Sequence, residues 1–136
     1  ISSSTGLLIG YDWANNRVVP VDIFKKSGRL TQIRINFSDL ITDSHGNIWV
    51  ATNIGLFQLV WDTAKGEFDV INWNEKIQKN TGFSDIEIAD LCQDEQQPDL
   101  FWLATPVGLI GLNTRTGQHT MLTMKDGLPD DYIFAV

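Results

Sequence analysis

Residues 43–59 read DSHGNIWVATNIGLFQL, and residues 94–112 read DEQQPDLFWLATPVGLIGL. The two stretches share an acidic turn, a β-branched or aromatic residue before Trp49 or Trp102, an Ala-Thr pair, a two-residue gap and Gly-Leu. A third copy is cut short near the start, where STGLLIGYD surrounds Gly6 and Leu7. From Gly6 to Gly55 is 49 residues, and from Gly55 to Gly108 is 53. A period of about 50 is too long for helical-pair repeats or leucine-rich horseshoes and fits a four-stranded propeller blade.

Within each copy, short alternating apolar runs are bounded by turn residues, the pattern of antiparallel strands packed on one or both faces, and helical periodicity is almost absent. Numbering the strands of a blade outward from the central channel, the pattern predicts first strands at 33–42, 86–93 and 132–136 and second strands at 47–52 and 100–105. Third strands follow at 6–11, 55–61 and 108–113, and fourth strands at 17–24, 67–73 and 118–123. His45-Gly46-Asn47, Asn15-Asn16, Lys65-Gly66-Glu67 and Thr116-Gly117-Gln118 supply residues that tolerate positive φ or bond their own backbone, as hairpins require. The expected fold is all-β, a partial ring of consecutive four-stranded antiparallel β-propeller blades. Residues 1–30 are blade remnants, 31–79 and 80–125 two full blades, and 126–136 the start of another.

The repeated residues take structural roles on this scheme. Trp49 and Trp102 occupy one place in the second strand, where an indole fills the space between blades while its N–H seeks a partner. Gly6, Gly55 and Gly108 open the third strand, where a missing Cβ permits a bend or close backbone approach. Thr52 and Thr105 are placed to bond a neighbouring loop through their hydroxyls. Asp39 and Asp90 recur in the first strand, a position suited to tying neighbouring blades by hydrogen bonds.

Composition narrows the function classes. With 10 Lys and Arg against 17 Asp and Glu, the formal charge of -7 disfavours phosphate backbones and anionic lipid, so neither nucleic acid nor a membrane surface is an expected partner. No apolar run approaches the roughly 18–20 residues of a membrane span. Cys92 is the single cysteine, which leaves no internal disulfide; its strand reads as buried, where a thiol packs as a small hydrophobe. His45 and His119 fall in a turn and a fourth strand rather than at metal-ligand spacing. The acidic stretches 85–95 and 126–131 lack the calcium-loop pattern. No phosphate loop, nucleophile elbow or kinase signature occurs, so no enzyme activity, metal or cofactor is expected of this segment. Trp13, Trp61 and Trp73 stand outside the shared tryptophan position; blade-edge packing is the first reading, and a stacking platform for sugar rings the second.

The terminal string KDGLPDDYIFAV (125–136), the acidic turn with G-N-I-W or its variant, the Ala-Thr and the Gly-Leu together resemble the two-component regulator propeller repeat. The match weakens where Gln96-Gln97-Pro98-Asp99 lengthens the turn and where Thr81-Gly82-Phe83-Ser84 stands in for Asp-Gly-Leu-Pro. The resemblance implies the periplasmic or extracytoplasmic sensor region of a bacterial hybrid histidine kinase, a non-enzymatic module that binds a carbohydrate-derived or other small-molecule ligand. A structural or protein-binding propeller without signalling output is the alternative. By alignment on Gly-Leu both ends fall mid-blade, so the expected neighbours are the remaining blades of a longer chain or of another copy, which residues 131–136 would join by strand pairing. The loops between second and third strands and between fourth and next first strands share one face. They place Asn53, Ile54, Pro106, Lys125 and Asp126 as the ligand-contacting candidates.

Overall fold

The computed structural model describes residues 7–23, 35–81 and 86–136. Gly6 and the Gly82-Phe83-Ser84 segment lie outside them. The strands are β1 (Leu7–Asp12), β2 (Arg17–Asp22), β3 (Phe37–Thr42), β4 (Ile48–Thr52), β5 (Gly55–Asp62), β6 (Glu67–Asn72), β7 (Asp90–Gln93), β8 (Leu100–Thr105), β9 (Gly108–Asn113) and β10 (His119–Leu122). β1 and β2 form one hairpin sheet, while β3–β6 and β7–β10 form two four-stranded sheets in which each strand pairs antiparallel with the next in sequence. Equivalent residues keep equivalent registers: Trp49 stands opposite Gln58, and Trp102 opposite Gly111.

Alternation along β4 explains why the sheets stack. Trp49 and Ala51 point into a core shared with the β7–β10 sheet, with Leu91, Phe101, Leu103, Ile110 and Leu112. Val50, between them in sequence, points the other way and joins Leu8, Val21, Phe57 and Leu59 against the β1–β2 sheet. A strand with period-two side chains and both faces buried reads as a nearly continuous apolar run, as IWVAT does.

The sheets are also linked by a repeated pair of hydrogen bonds. Ile88 N–H donates to the Thr52 carbonyl at 3.0 Å, and Ile133 N–H to the Thr105 carbonyl at 2.9 Å. Leu91 N–H donates to the Asp39 carboxylate at 3.4 Å, and Val136 N–H to that of Asp90 at 2.9 Å. Asp39 therefore ties its sheet to the next, and Asp90 ties its sheet to the segment that follows it.

Two elements depart from the sequence reading. An α-helix, Asn74–Thr81, occupies the connection read as loop 74–85. Its buried Ile77 adds to the inter-sheet core, and tertiary packing of that one side chain stabilises a segment whose polar composition shows little helical periodicity. Residues 132–136 form no strand. They make the two bonds to the β7–β10 sheet just described.

Candidate functional site

On the face that carries the second-to-third-strand turns, the chain closes each turn by itself. The Thr52 hydroxyl donates to the Gly55 carbonyl at 2.8 Å and accepts from Ile54 N–H. Thr105 does the same with Gly108 at 2.6 Å and Val107 N–H. Both hydroxyls thus serve their own turns instead of a neighbouring loop. Gly55 and Gly108 take φ of 123° and 140°, a region that L side chains rarely adopt. Asn74, buried at the head of the helix, braces the first turn by accepting from Leu56 N–H and donating to the Ile54 carbonyl.

This geometry redistributes the five ligand candidates. Ile54 is only 4% exposed and packs in the core against the β1–β2 sheet, so it presents nothing to a ligand. Asn53 is half-buried and engaged, its Oδ1 accepting from Asn36 N–H at 2.8 Å while its own N–H donates to the Asn36 carbonyl. Pro106 is half-exposed, and Lys125 and Asp126 are exposed. The last two sit on a 3-10 turn, Met124–Asp126, closed by a capping box: Thr123 Oγ1 accepts from Lys125 N–H, and the Asp126 carboxylate accepts from Thr123 N–H. Asp131 then accepts from Met124 N–H at 2.6 Å. The Asp-Gly-Leu-Pro string therefore folds into a self-bonded loop that holds the Lys125 side chain out from the surface.

The opposite face carries the acidic turns. Asp43 Oδ1 accepts from His45 N–H and Asn47 N–H, and Oδ2 from the Asn47 amide and from the Trp49 indole at 2.8 Å. Asp94 repeats this with Gln96 N–H, Gln97 N–H and the Trp102 indole at 3.1 Å. Sequence reasoning gave the tryptophans a waiting N–H without naming the acceptor; the signal was the acidic residue six or eight positions upstream. Burial pushes the Asp43 carboxyl up, but the Trp49, Asn47 and His45 donors outweigh it and leave its pKa below the ordinary value. Asp94 is lowered as well, chiefly by the Trp102 indole.

A carboxylate depressed in the fold contributes stability that is fully present above its unfolded pKa of about 3.9 and is lost as pH falls through the lower folded value. Urea midpoints measured from pH 5 to 2 should therefore decline. Asp43→Asn, which cannot ionise, should show a shallower acid decline than the parent; parallel profiles would remove Asp43 from that role.

Gln93 spans two sheets, accepting from Ser44 N–H and donating to Ser44 Oγ and the Pro98 carbonyl. Desolvation raises the Cys92 thiol pKa, with Asp90 and Asp94 adding to it, which keeps the sulfur protonated and unreactive. Among the described residues no group of three or more His, Cys, Asp or Glu is placed to hold a metal ion.

Two successive four-stranded antiparallel sheets, each ordered first to fourth strand, and a two-stranded sheet before them stack face on face through shared apolar cores. The chain is a run of β-propeller blades. In fold it is similar to the extracellular domain of the putative hybrid two-component system BT4673 from B. thetaiotaomicron, with a TM-score of 0.59 at 17% identity over 86% of this chain and 14% of that one. It is similar to the extracellular domain of the putative hybrid two-component system BT3049 from the same organism, with a TM-score of 0.58 at 19% identity over 96% and 20% of the two chains. PorZ, an essential bacterial surface component of the type-IX secretion system of Porphyromonas gingivalis, gives 0.55 at 16% identity over 74% and 15%. The chain thus spans between 14% and 20% of the length of these structures. At such identities the likeness is one of fold. No protein-family model matches the chain, and no curated protein matches it significantly.

The three tryptophans outside the shared position divide on inspection of the blades. Trp73, expected at a blade edge or rim, is buried inside the inter-blade core, its ring centroid 5.1 Å from that of Trp49 with the planes inclined at 47°, and it donates its indole N–H to Gln58. The helix that follows carries Lys76, whose ammonium lies 3.8 Å from the Trp73 ring. Trp13 and Trp61 stay on the surface, 86% and 37% exposed.

Proposed function

We propose that the chain is part of a non-enzymatic sensory propeller, the extracytoplasmic input region of a bacterial two-component signalling protein. The reading rests on the fold held in common with the extracellular domains of BT4673 and BT3049, together with the ordered motif copies that end in Asp126-Gly127-Leu128-Pro129. An input module of this kind acts when its ligand or domain contacts favour one conformational state of the parent protein over another. Its rigid four-stranded blades hold loops, and loops on a rigid scaffold carry recognition. The face offering Pro106, Lys125 and Asp126 supports ligand contact best, because Thr52, Ile54 and Asn53 are engaged in holding the blade together. Further blades of the parent chain would pack on the half-buried Trp102 face.

A second reading, a scaffold propeller without signalling output, draws on the fold shared with PorZ, a surface component of a secretion system. The chain sequence beyond Val136 separates the two. A membrane span followed by a histidine kinase or diguanylate cyclase region is expected; a parent chain without them overturns the sensor reading. Lys125→Ala in the full chain should leave unfolding stability within about 0.5 kcal/mol of the parent, since its side chain supports nothing beneath it. The same variant should shift the ligand response of the sensor in a transcriptional reporter assay, and an unchanged response would remove Lys125 from the ligand face.

A further inference from the structure

Between the β1–β2 hairpin and the outer strands of the next blade lies an open cleft of about 540 Å3, lined among others by Tyr11, Trp13, Asn15, Ile48, Trp61 and Phe68. Its walls are third-to-fourth-strand hairpins of two successive blades, which emerge on the side opposite Lys125.

The repeats themselves show what the fold requires at these positions. All three hairpins start on the same kind of turn. Asp12 accepts from Ala14 and Asn15 N–H, Asp62 from Ala64 and Lys65 N–H, and Asn113 from Arg115 and Thr116 N–H. The residue after the head is Trp13 in the first copy but Thr63 and Thr114 in the others. The turn therefore closes on threonine, and Trp13, 86% exposed, contributes nothing to a core. The residue before the head is Tyr11 and Trp61 in the two blades that flank the cleft, but buried Leu112 in the blade that does not. Aromatic side chains are thus concentrated at this one inter-blade groove beyond any need of the hairpin. Tyr11 meets Trp13 edge-on at 4.8 Å, and Trp61 meets Phe68 edge-on at 4.9 Å.

The polar groups of the lining are largely spent on the hairpin itself. The Asp12 carboxylate serves its own turn, the Asn15 amide and Arg17 Nε at 3.3 Å, while the Tyr11 hydroxyl donates to Asn16 Oδ1. The indole N–H groups of Trp13 and Trp61 have no partner among the described residues. A polyol would lose hydration at hydroxyls that need both donors and acceptors here. A polyproline II segment fits better, because each proline is a compact apolar ring without an N–H, and the carbonyls of that helix have no internal partner and accept from indoles. Aromatic rings standing side by side on a rigid surface form the slots in which such prolines seat.

Charge sets the flanks of that segment. The two hairpins, residues 7–22 and 55–72, carry five carboxylates, Asp12, Asp22, Asp62, Glu67 and Asp69, against two cations, Arg17 and Lys65. Both cations are engaged, Arg17 with Asp12 and the Gly66 carbonyl at 2.6 Å, and Lys65 with Asp62 and Asp69. The surplus negative charge, on a chain of net -7, attracts basic residues beside the prolines and repels acidic ones.

We propose that this cleft docks a partner protein through an extended, proline-rich segment with basic flanks, its prolines seated among Tyr11, Trp13, Trp61 and Phe68. The surface stands apart from the Lys125 face and does not depend on signalling output. Isothermal titration calorimetry of the full chain tests it with a synthetic peptide that holds a Pro-x-x-Pro core between arginines, and with neutral oligosaccharides titrated alongside. The parent should bind this peptide, and versions with alanine for proline or glutamate for arginine should bind about tenfold more weakly or worse. Trp13→Thr, which installs the residue of the sister hairpins, should weaken binding by a similar factor with an unchanged melting temperature, and Trp61→Leu should do likewise. Lys125→Ala should leave this binding intact, so loss at one face is told apart from loss at the other. The proposal is overturned if the peptide does not bind the parent at millimolar concentration, or if its alanine or glutamate version binds as well. It is equally overturned if Trp13→Thr binds the peptide as the parent does, or if only a neutral oligosaccharide binds.

Discussion

Replacing Trp49 by alanine is expected to lower the unfolding free energy by about 3–5 kcal/mol, read as a fall in the urea midpoint of the full chain at unchanged slope. The indole is 1% exposed and fills the space between two blades, with ring centroids 4.6 Å from Phe101 and 5.1 Å from Trp73. Truncation removes those contacts and opens a cavity between rigid sheets that cannot close around it. It also leaves the Asp43 carboxylate, itself buried, without its indole donor. Trp102 holds the repeat-equivalent position with the equivalent carboxylate partner, Asp94, but is only half-buried and lies across Gly111, so Trp102→Ala, measured in the same chain, should cost about 1–2 kcal/mol. Equal losses at the two sites would contradict the burial difference.

Gly55→Ala is expected to be nearly as damaging, at about 3 kcal/mol. Its backbone sits at φ 123°, and an added Cβ would run into the Asn74 carboxamide that holds Leu56 N–H and the Ile54 carbonyl. The cost therefore combines backbone strain with displacement of a buried, doubly bonded side chain. Gly46→Ala supplies the comparison: φ there is 84°, but nothing lies within 4 Å of the new Cβ. That substitution should cost only the backbone strain, about 1–2 kcal/mol. Similar midpoints for the two variants would show that Asn74 yields easily.

Much of the blade was legible because the signals are local. Period-two alternation, the Asp-to-Trp spacing, and the Thr-x-x-Gly turn are each written within a few residues of where they act. The third-to-fourth-strand hairpins were recognisable from Asn16, Gly66 and Gly117, all of which have positive φ. Their Asx heads, Asp12, Asp62 and Asn113, went unread although they repeat just as regularly. The ligand face was the poorest reading. Position on a loop suggested that Asn53 and Ile54 were available, yet one is bonded to Asn36, 17 residues earlier, and the other is buried against a different sheet. No pattern inside the loop encodes such partners.

The helix and Trp73 failed for a related reason. Residues 74–81 are polar apart from one apolar side chain, and the helix is held by that residue, Ile77, in the inter-blade core and by Asn74 reaching back to β5. The sequence by itself determined the repeat, the strand order, the turn chemistry and the indole at the centre of each blade, because all of these depend on near-neighbour geometry. Only the tertiary structure decided which of the three tryptophans outside the shared position is core, which loop side chains are already engaged, and where aromatic residues from separate blades converge. Those outcomes depend on contacts between residues well apart in the sequence, 15 for Trp73 and Gln58 and 17 for Asn36 and Asn53, whose energies arise only once the chain has folded back on itself.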